Sequence, residues 1–211
     1  KFHGHQNIAT EPMVWLDGLD IPFGQQMDIG FFEFGPEVVS DLSTPKLSRA
    51  ERLWGYPSIR PLSSLKDAPS SPLPAYRWVH TDAALREQLL LEEEGHDVTL
   101  SKGHAAIRFV NPTNGKDVLP TMRCQFHRLR SGAQSIPARD VGSSVFQVFE
   151  GCGHVTLGAK RFDLKKGDIF VVPSWIEWTI GATNEEAGPD FDLFQFSDAP
   201  IMEKLNFARS V

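Results

Sequence analysis

Residues 151–175 read GCGHVTLGAKRFDLKKGDIFVVPSW. Three short runs in this stretch, GHVTL, KRFDL and DIFVVP, are rich in β-branched and aromatic residues. Such side chains fit a pleated, half-buried surface better than a helix. Between the runs stand LGAK and KKGD, whose glycines supply the backbone freedom that tight turns demand. The stretch therefore predicts consecutive antiparallel strands joined by hairpin turns.

The same pattern extends in both directions. Upstream lie AAIRFV (105–110), TMRCQFHRL (121–129) and SSVFQVFEG (143–151), and downstream EWTI (177–180) and FDLFQFS (191–197). No helix-length segment interrupts the series, and many short strands at regular spacing predict a sandwich or barrel. We read 105–197 as one compact antiparallel β-barrel, closed by a short C-terminal helix near APIMEKLNF (199–207).

Before the barrel the pattern changes. TDAALREQLLLEEEG (81–95) predicts a helix capped by Thr81 or Asp82 and ended by Gly95, with Leu85 and Leu89 on one face and Glu92 to Glu94 in solvent. A polar stretch from Asp41 to Pro74, which includes KDAPSSPLP (66–74), reads as a linker or a long surface crossing. Within it, LSRAERLWG (47–55) predicts a short helix ending at Gly55. Nearer the start, PMVWL (12–16) and GFFEFG (30–35) read as strands, with Trp15 in a core.

Bulk properties narrow the function. A formal net charge of -6 argues against a nucleic-acid surface. Two cysteines, Cys124 and Cys152, are too few for a disulfide framework, so a reduced cytoplasm is expected and both read as inert small residues inside or beside the barrel. No apolar run approaches the roughly 20 residues of a membrane helix. Among the histidines, only His3 and His5 in FHGHQN (2–7) have a metal-ligand spacing. His127 reads as a packed or surface residue, and His80, His96, His104 and His154 lack a partner at ligand spacing.

The hairpin stretch resembles the centre of a cupin, a jelly-roll barrel in which two short motifs bring three His and one Glu onto a metal. Counted from Gly132, the His positions of the first motif fall on Ala138 and Asp140, the Glu position on Ser144, and the closing Gly on Gly151. In the second motif Gly167 and Pro173 fit, Trp175 takes a Gly place and Trp178 the His place. Only Asp140 could donate, and one carboxylate is not a transition-metal site. The resemblance therefore implies a cupin without its metal, serving packing, oligomerisation or a closed apolar cavity.

FHGHQN fits the end of another cupin's second motif, with His3 in the His position and Asn7 four residues later. HGHQN…EPMVWLDGLDIP, FVNPTNG…LPT and the hairpin stretch together resemble the gentisate 1,2-dioxygenases and their salicylate and 1-hydroxy-2-naphthoate relatives. The resemblance covers nearly the whole chain. It implies an all-β fold, the C-terminal half of a bicupin with a few short helices. Residues 1–40 are then the last strands of an N-terminal cupin barrel, 41–104 a linker with short helices, and 105–211 a C-terminal barrel lacking metal ligands. The implied activity is Fe(II)-dependent opening of gentisate by O2 to maleylpyruvate, in a homotetramer or other homo-oligomer that touches neither nucleic acid nor membrane. It makes His3 an iron ligand, His5 a hydrogen-bond or proton-transfer partner of the aromatic hydroxy acid, and Asp17 a carboxylate orienting a histidine or arginine. Turn chemistry alone is the competing reading of Asp17 and Asp20, which flank Gly18. The competing reading of the chain is a non-enzymatic, metal-free cupin that binds a small molecule or assembles oligomers.

Overall fold

The computed structural model describes residues 7, 9–30, 33, 47–63, 66–184 and 188–211. The chain divides into two compact units, 1–48 and 49–211.

In the first unit the one described helix is α1 (Ile21–Gln26), started by Pro22, whose fixed φ suits a first turn. Residues 12–16 form no strand, and Trp15 is exposed rather than in a core. The physical reason is that a strand exists only with a partner, and no described segment pairs with this one. The strand expected over 30–35 falls almost entirely outside the described residues.

The second unit is a two-sheet antiparallel β-sandwich, compatible with the jelly roll that the resemblance implies. Its eight strands are β1 (His104–Arg108), β2 (Arg123–Leu129), β3 (Ser144–Glu150), β4 (Cys152–Leu157), β5 (Lys160–Lys165), β6 (Ile169–Val172), β7 (Trp178–Ala182) and β8 (Phe191–Ser197). They form a five-stranded sheet ordered β1-β2-β8-β3-β6 and a three-stranded sheet ordered β5-β4-β7. Every ladder is antiparallel. All eight coincide with the expected runs. The turn glycines do what the sequence asked of them: Gly158 and Gly167 sit at φ 56° and 91°. At Gly151, φ 77°, an added Cβ would lie 2.4 Å from the Asp190 carbonyl oxygen, so the chain turns there only without a side chain.

Alternation along the strands divides the large sheet into two faces. Leu129, Phe146, Val148, Phe191 and Leu193 point inward and meet Val155, Leu164 and Ile180 of the strands opposite, all buried. Each such side chain contributes on the order of 1.5–3 kcal/mol through burial. The C-terminus completes the sandwich: Val141 and Arg209, and Arg139 and Val211, share backbone hydrogen bonds of 2.9–3.0 Å. The short helix α4 (Ala199–Lys204) precedes that return.

Two helices of this unit lie in the stretch read as a linker. They are α2 (Arg49–Trp54), at the expected place, and α3 (Trp78–Glu93). Leu85 and Leu89 of α3 bury against Ala105 and Phe126 on the outer face of the large sheet, as their spacing required. The helix begins earlier than expected, after Arg77, and neither Thr81 nor Asp82 caps it. Asp82 instead accepts a hydrogen bond from Arg128 at 2.9 Å, a tertiary partner that outcompetes a local cap. Nor is Glu92 simply solvated. Its carboxylate accepts from Thr99 Oγ1 at 2.6 Å and from the Gly103 amide at 3.0 Å, while Gln88 Oε1 accepts from the Ala106 amide at 3.3 Å. Gln88 and Glu92, one turn apart, thereby satisfy amide donors on and just before the edge strand β1. The Thr99 bond is the main cause of a Glu92 pKa below the usual carboxylate value.

Candidate functional site

Of the positions that the cupin resemblance makes ligand places, two, at residues 138 and 178, meet in the second unit, as alanine and tryptophan. Ala138 and Trp178 face one another in an antiparallel bridge, with reciprocal N–H to O contacts of 3.0 and 2.9 Å. The Trp178 ring lies 5.4 Å from Phe146, which stacks on Phe170 at 4.8 Å and 3°. Asp140 turns its carboxylate to the C-terminus, accepting from Ser210 Oγ at 2.7 Å. Ser144 Oγ accepts from Gln195 Nε2 at 2.9 Å. Aromatic rings thus pack against Trp178, at the place of a ligand. Among the described residues no group of three or more His, Cys, Asp or Glu converges as a metal site would require. These side chains do not fit a metal ion.

What occupies the inner face instead is a buried polar chain across four strands. His104 Nε2 lies 3.0 Å from His127 Nδ1, and His127 Nε2 lies 2.8 Å from Gln195 Oε1. Gln195 then reaches Ser144, so the chain joins β1, β2, β8 and β3 in order. Hydrogen-bond logic fixes the tautomers. Gln195 offers its oxygen to His127, so His127 carries its proton on Nε2 and accepts at Nδ1 from His104 Nε2–H. The remaining His104 Nδ1 is buried without a partner. Burial pushes His104 down to about 3, with His127 beside it adding to the shift. Burial also lowers His127, against the opposing hydrogen bond of Gln195. Both imidazoles are therefore neutral near pH 7. Ser144 is not an activated nucleophile, because its partner is an amide and not a base. The arrangement ties four strands in one register.

The sequence reading of His104 concerned metal-ligand spacing along the chain; the structure adds a hydrogen-bond partner from a distant strand. Ala106 sits opposite His127 and His104 opposite Leu129, so the two histidines are diagonal neighbours on one face. They are 23 residues apart in the chain. Strand alternation could have placed each on the inner face, but only the β1–β2 register brings them into contact. His127 is packed, one of the two readings left open.

The outer face carries charge and a cavity. Arg128 donates from Nε and Nη2 to both carboxylate oxygens of Asp192 at 2.8 and 2.7 Å, and Nη1 reaches Asp82. These partners hold the guanidinium firmly protonated. It also lies 5.7 Å from the centre of the Trp78 ring. Beside it, between the start of α3 and strands β2, β3 and β8, is a cavity of about 400 Å³ lined by side chains that include Trp78, Cys124, Phe126, Gln147, Phe149 and Phe194. Burial pushes the Cys124 thiol up to about 11, so it is a neutral wall residue, whereas Cys152 is exposed.

His3 and His5 lie outside the described residues. Asp17 is described, exposed, and in a stretch without regular structure ahead of α1.

No protein-family profile matches the chain. A gentisate 1,2-dioxygenase of Streptomyces is 54% identical to it over 209 residues, covering 99% of this chain and 57% of that protein. A 1-hydroxy-2-naphthoate 1,2-dioxygenase of Nocardioides is 29% identical over 212 residues, covering 96% and 50%. Among solved structures, a gentisate adduct of the salicylate 1,2-dioxygenase from Pseudoaminobacter salicylatoxidans superposes with a TM-score of 0.86 at 58% identity, over 91% of this chain and 51% of that one. The chain thus spans about half the length of the curated relatives it matches. Along nearly all of that span it is a homologue of the gentisate 1,2-dioxygenases and of their salicylate, 5-aminosalicylate and 1-hydroxy-2-naphthoate relatives.

Proposed function

We propose that the chain is part of a ring-cleaving dioxygenase that opens gentisate with O2 to give maleylpyruvate. The observation that carries this is the 54% identity to the Streptomyces gentisate 1,2-dioxygenase across 99% of the chain. The gentisate held by the salicylate 1,2-dioxygenase relative supports an aromatic hydroxy acid as substrate. In the overall reaction both atoms of O2 enter the product, and the bond between the carboxyl-bearing and hydroxyl-bearing ring carbons breaks.

Fe(II), when bound, would supply the site at which substrate and O2 meet. His3 is proposed as one of its ligands, with the other donors supplied from outside these 211 residues. His5 is proposed to hydrogen-bond the substrate or move its proton, and Asp17 to orient a neighbouring histidine or arginine. The proposed organisation keeps residues 1–40 with a metal-binding cupin barrel, 41–104 as connection and 105–211 as a metal-free barrel. In that reading the second barrel serves packing and assembly of a homo-oligomer in the cytoplasm. The aromatic interior around Trp178 favours that role for this barrel over a second catalytic site.

The test uses the full-length protein supplied with Fe(II) and O2. Gentisate should give a ring-opened product with new near-ultraviolet absorbance. His3→Ala should lose both iron and activity. His5→Ala should keep most iron but slow turnover about 100-fold, the size expected of a lost acid or base. Full activity and full iron content in both variants would show that the His-x-His pair has been assigned wrongly.

A further inference from the structure

We propose that the cavity beneath the start of α3 is a binding site for a small, flat, uncharged aromatic molecule, separate from the ring-cleavage chemistry and independent of that reading. Three rings form its mouth and floor in mutual contact. Trp78 lies 4.6 Å from Phe149 and 5.3 Å from Phe126, and Phe126 lies 5.6 Å from Phe149 in an edge-to-face pose. Trp78 and Phe149 are nonetheless 41% and 39% exposed, so the mouth presents open ring faces to solvent. A concave volume of about 400 Å³ falls in the range of small-molecule sites, whereas a flat patch would not hold a ligand.

The chemistry of the lining selects the ligand. Among the described residues none of the lining side chains is charged, and burial holds the Cys124 thiol neutral. Arg128, which lies against the lining residue Trp78, is already clamped by Asp192 and Asp82. A carboxylate entering the cavity would lose water and gain no cation, which is strongly unfavourable. A neutral ring loses little and gains offset or edge contacts with the aromatic walls. Gln147 supplies direction. Its Nε2 is engaged by the Val148 carbonyl at 2.9 Å, which leaves Oε1 as an acceptor for a phenolic hydroxyl. The site therefore favours a phenol over the matching benzoate, the reverse of a site for an aromatic acid.

The test titrates the full-length protein with 4-fluorophenol and, separately, 4-fluorobenzoate, both read by fluorine NMR with saturating gentisate present under anaerobic conditions. 4-Fluorophenol should bind saturably and quench the fluorescence of Trp78, which a Trp78→Phe variant would identify. Phe149→Ala should weaken binding about tenfold or more, since that residue is half-exposed and supplies a wall rather than the fold. Gln147→Leu should narrow the preference for the phenol over fluorobenzene. Absence of saturable binding would overturn the proposal. So would equal affinity for 4-fluorobenzoate, or binding that neither Phe149→Ala nor Gln147→Leu changes.

Discussion

The two faces of the five-stranded sheet solve the same problem in opposite ways. Both carry polar side chains on β2 and β8, adjacent in sequence on β2 and three residues apart on β8. Inward, His127 and Gln195 belong to a neutral chain in which each donor meets one acceptor. Outward, Arg128 and Asp192 form a charged, two-bond clamp, with residue exposures of 8% and 3%. The difference follows from what lies opposite. Between two sheets nothing can solvate a charge, so only neutral groups with matched hydrogen bonds are tolerated. On the outer face α3 brings Asp82 as a second carboxylate, and the clamp gains a partner there. A one-residue shift in register would exchange the two sets and ruin both.

The comparison can be broken most forcefully at the inner core. Phe146→Ala should lower unfolding stability by about 3–5 kcal/mol in urea titrations, because a cavity would open between Phe170, Trp178 and the His127 ring. Phe149→Ala, on the outer face of the same strand, should cost well under half as much. Equal losses would show that the inner face is not the principal core.

The charged clamp is expected to come next. Asp192→Ala should cost about 3 kcal/mol by thermal or urea unfolding, since Arg128 remains buried with its two-bond partner gone and only Asp82 at 2.9 Å and the more distant Asp190 at 3.9 Å beside it. Arg128→Met combined with Asp192→Leu should recover most of that loss, because no charge is then stranded. A double variant as damaged as the single one would mean that the pair contributes real net attraction.

The neutral chain should be weaker but pH-dependent. His127→Leu strands His104 Nε2–H and Gln195 Oε1, at a cost of about 2 kcal/mol. Acid should reveal the histidines directly. Once unfolded, each binds a proton near the ordinary value of 6.5, while in the fold burial holds His104 neutral down to about 3 and keeps His127 low as well. The unfolded state thus binds more protons in this window. Stability contributed by the pair is full above pH 6.5 and falls on acidification, by up to about 1.4 kcal/mol per pH unit for each histidine. Unfolding curves measured between pH 7 and 5 should show this slope, and His104→Leu with His127→Leu should flatten it. A slope unchanged in the double variant would assign the acid sensitivity elsewhere.

The smallest effect is expected where the cupin pattern itself is broken at a glycine place. Trp175 sits at φ 64°, and Arg139 lies 5.9 Å from the centre of its ring. Trp175→Gly would relieve the left-handed backbone strain and lose the cation contact, each about 1 kcal/mol and opposite in sign. Thermal unfolding should therefore shift little in either direction.

Much of the fold was legible in local pattern. All eight strands, the LGAK and KKGD turns, α2, α4 and the buried face of α3 follow from alternation, glycine placement and helical spacing. Misreadings arose where a distant partner decides. The segment 12–16 has strand composition but no described strand to pair with. Asp82 looks like a cap and is instead a partner of Arg128. Glu92 looks solvated and binds the Gly103 amide. The candidate site divides the same way. The replacement of ligand positions by Ala138, Ser144 and Trp178 was countable along the chain, whereas the filling of that space by stacked Phe146 and Phe170 was not.

The sequence by itself determined which segments are strands, where they turn, and which relatives the chain resembles. These are properties of neighbours along the chain, carried by side-chain period and turn chemistry. Only the tertiary structure decided that His104 meets His127, that Arg128 is clamped by Asp192 and Asp82, and that three rings from α3, β2 and β3 enclose a cavity. Each joins residues on different elements, and sheet register, which sets such meetings, is fixed by the fit of whole faces and not by any one segment.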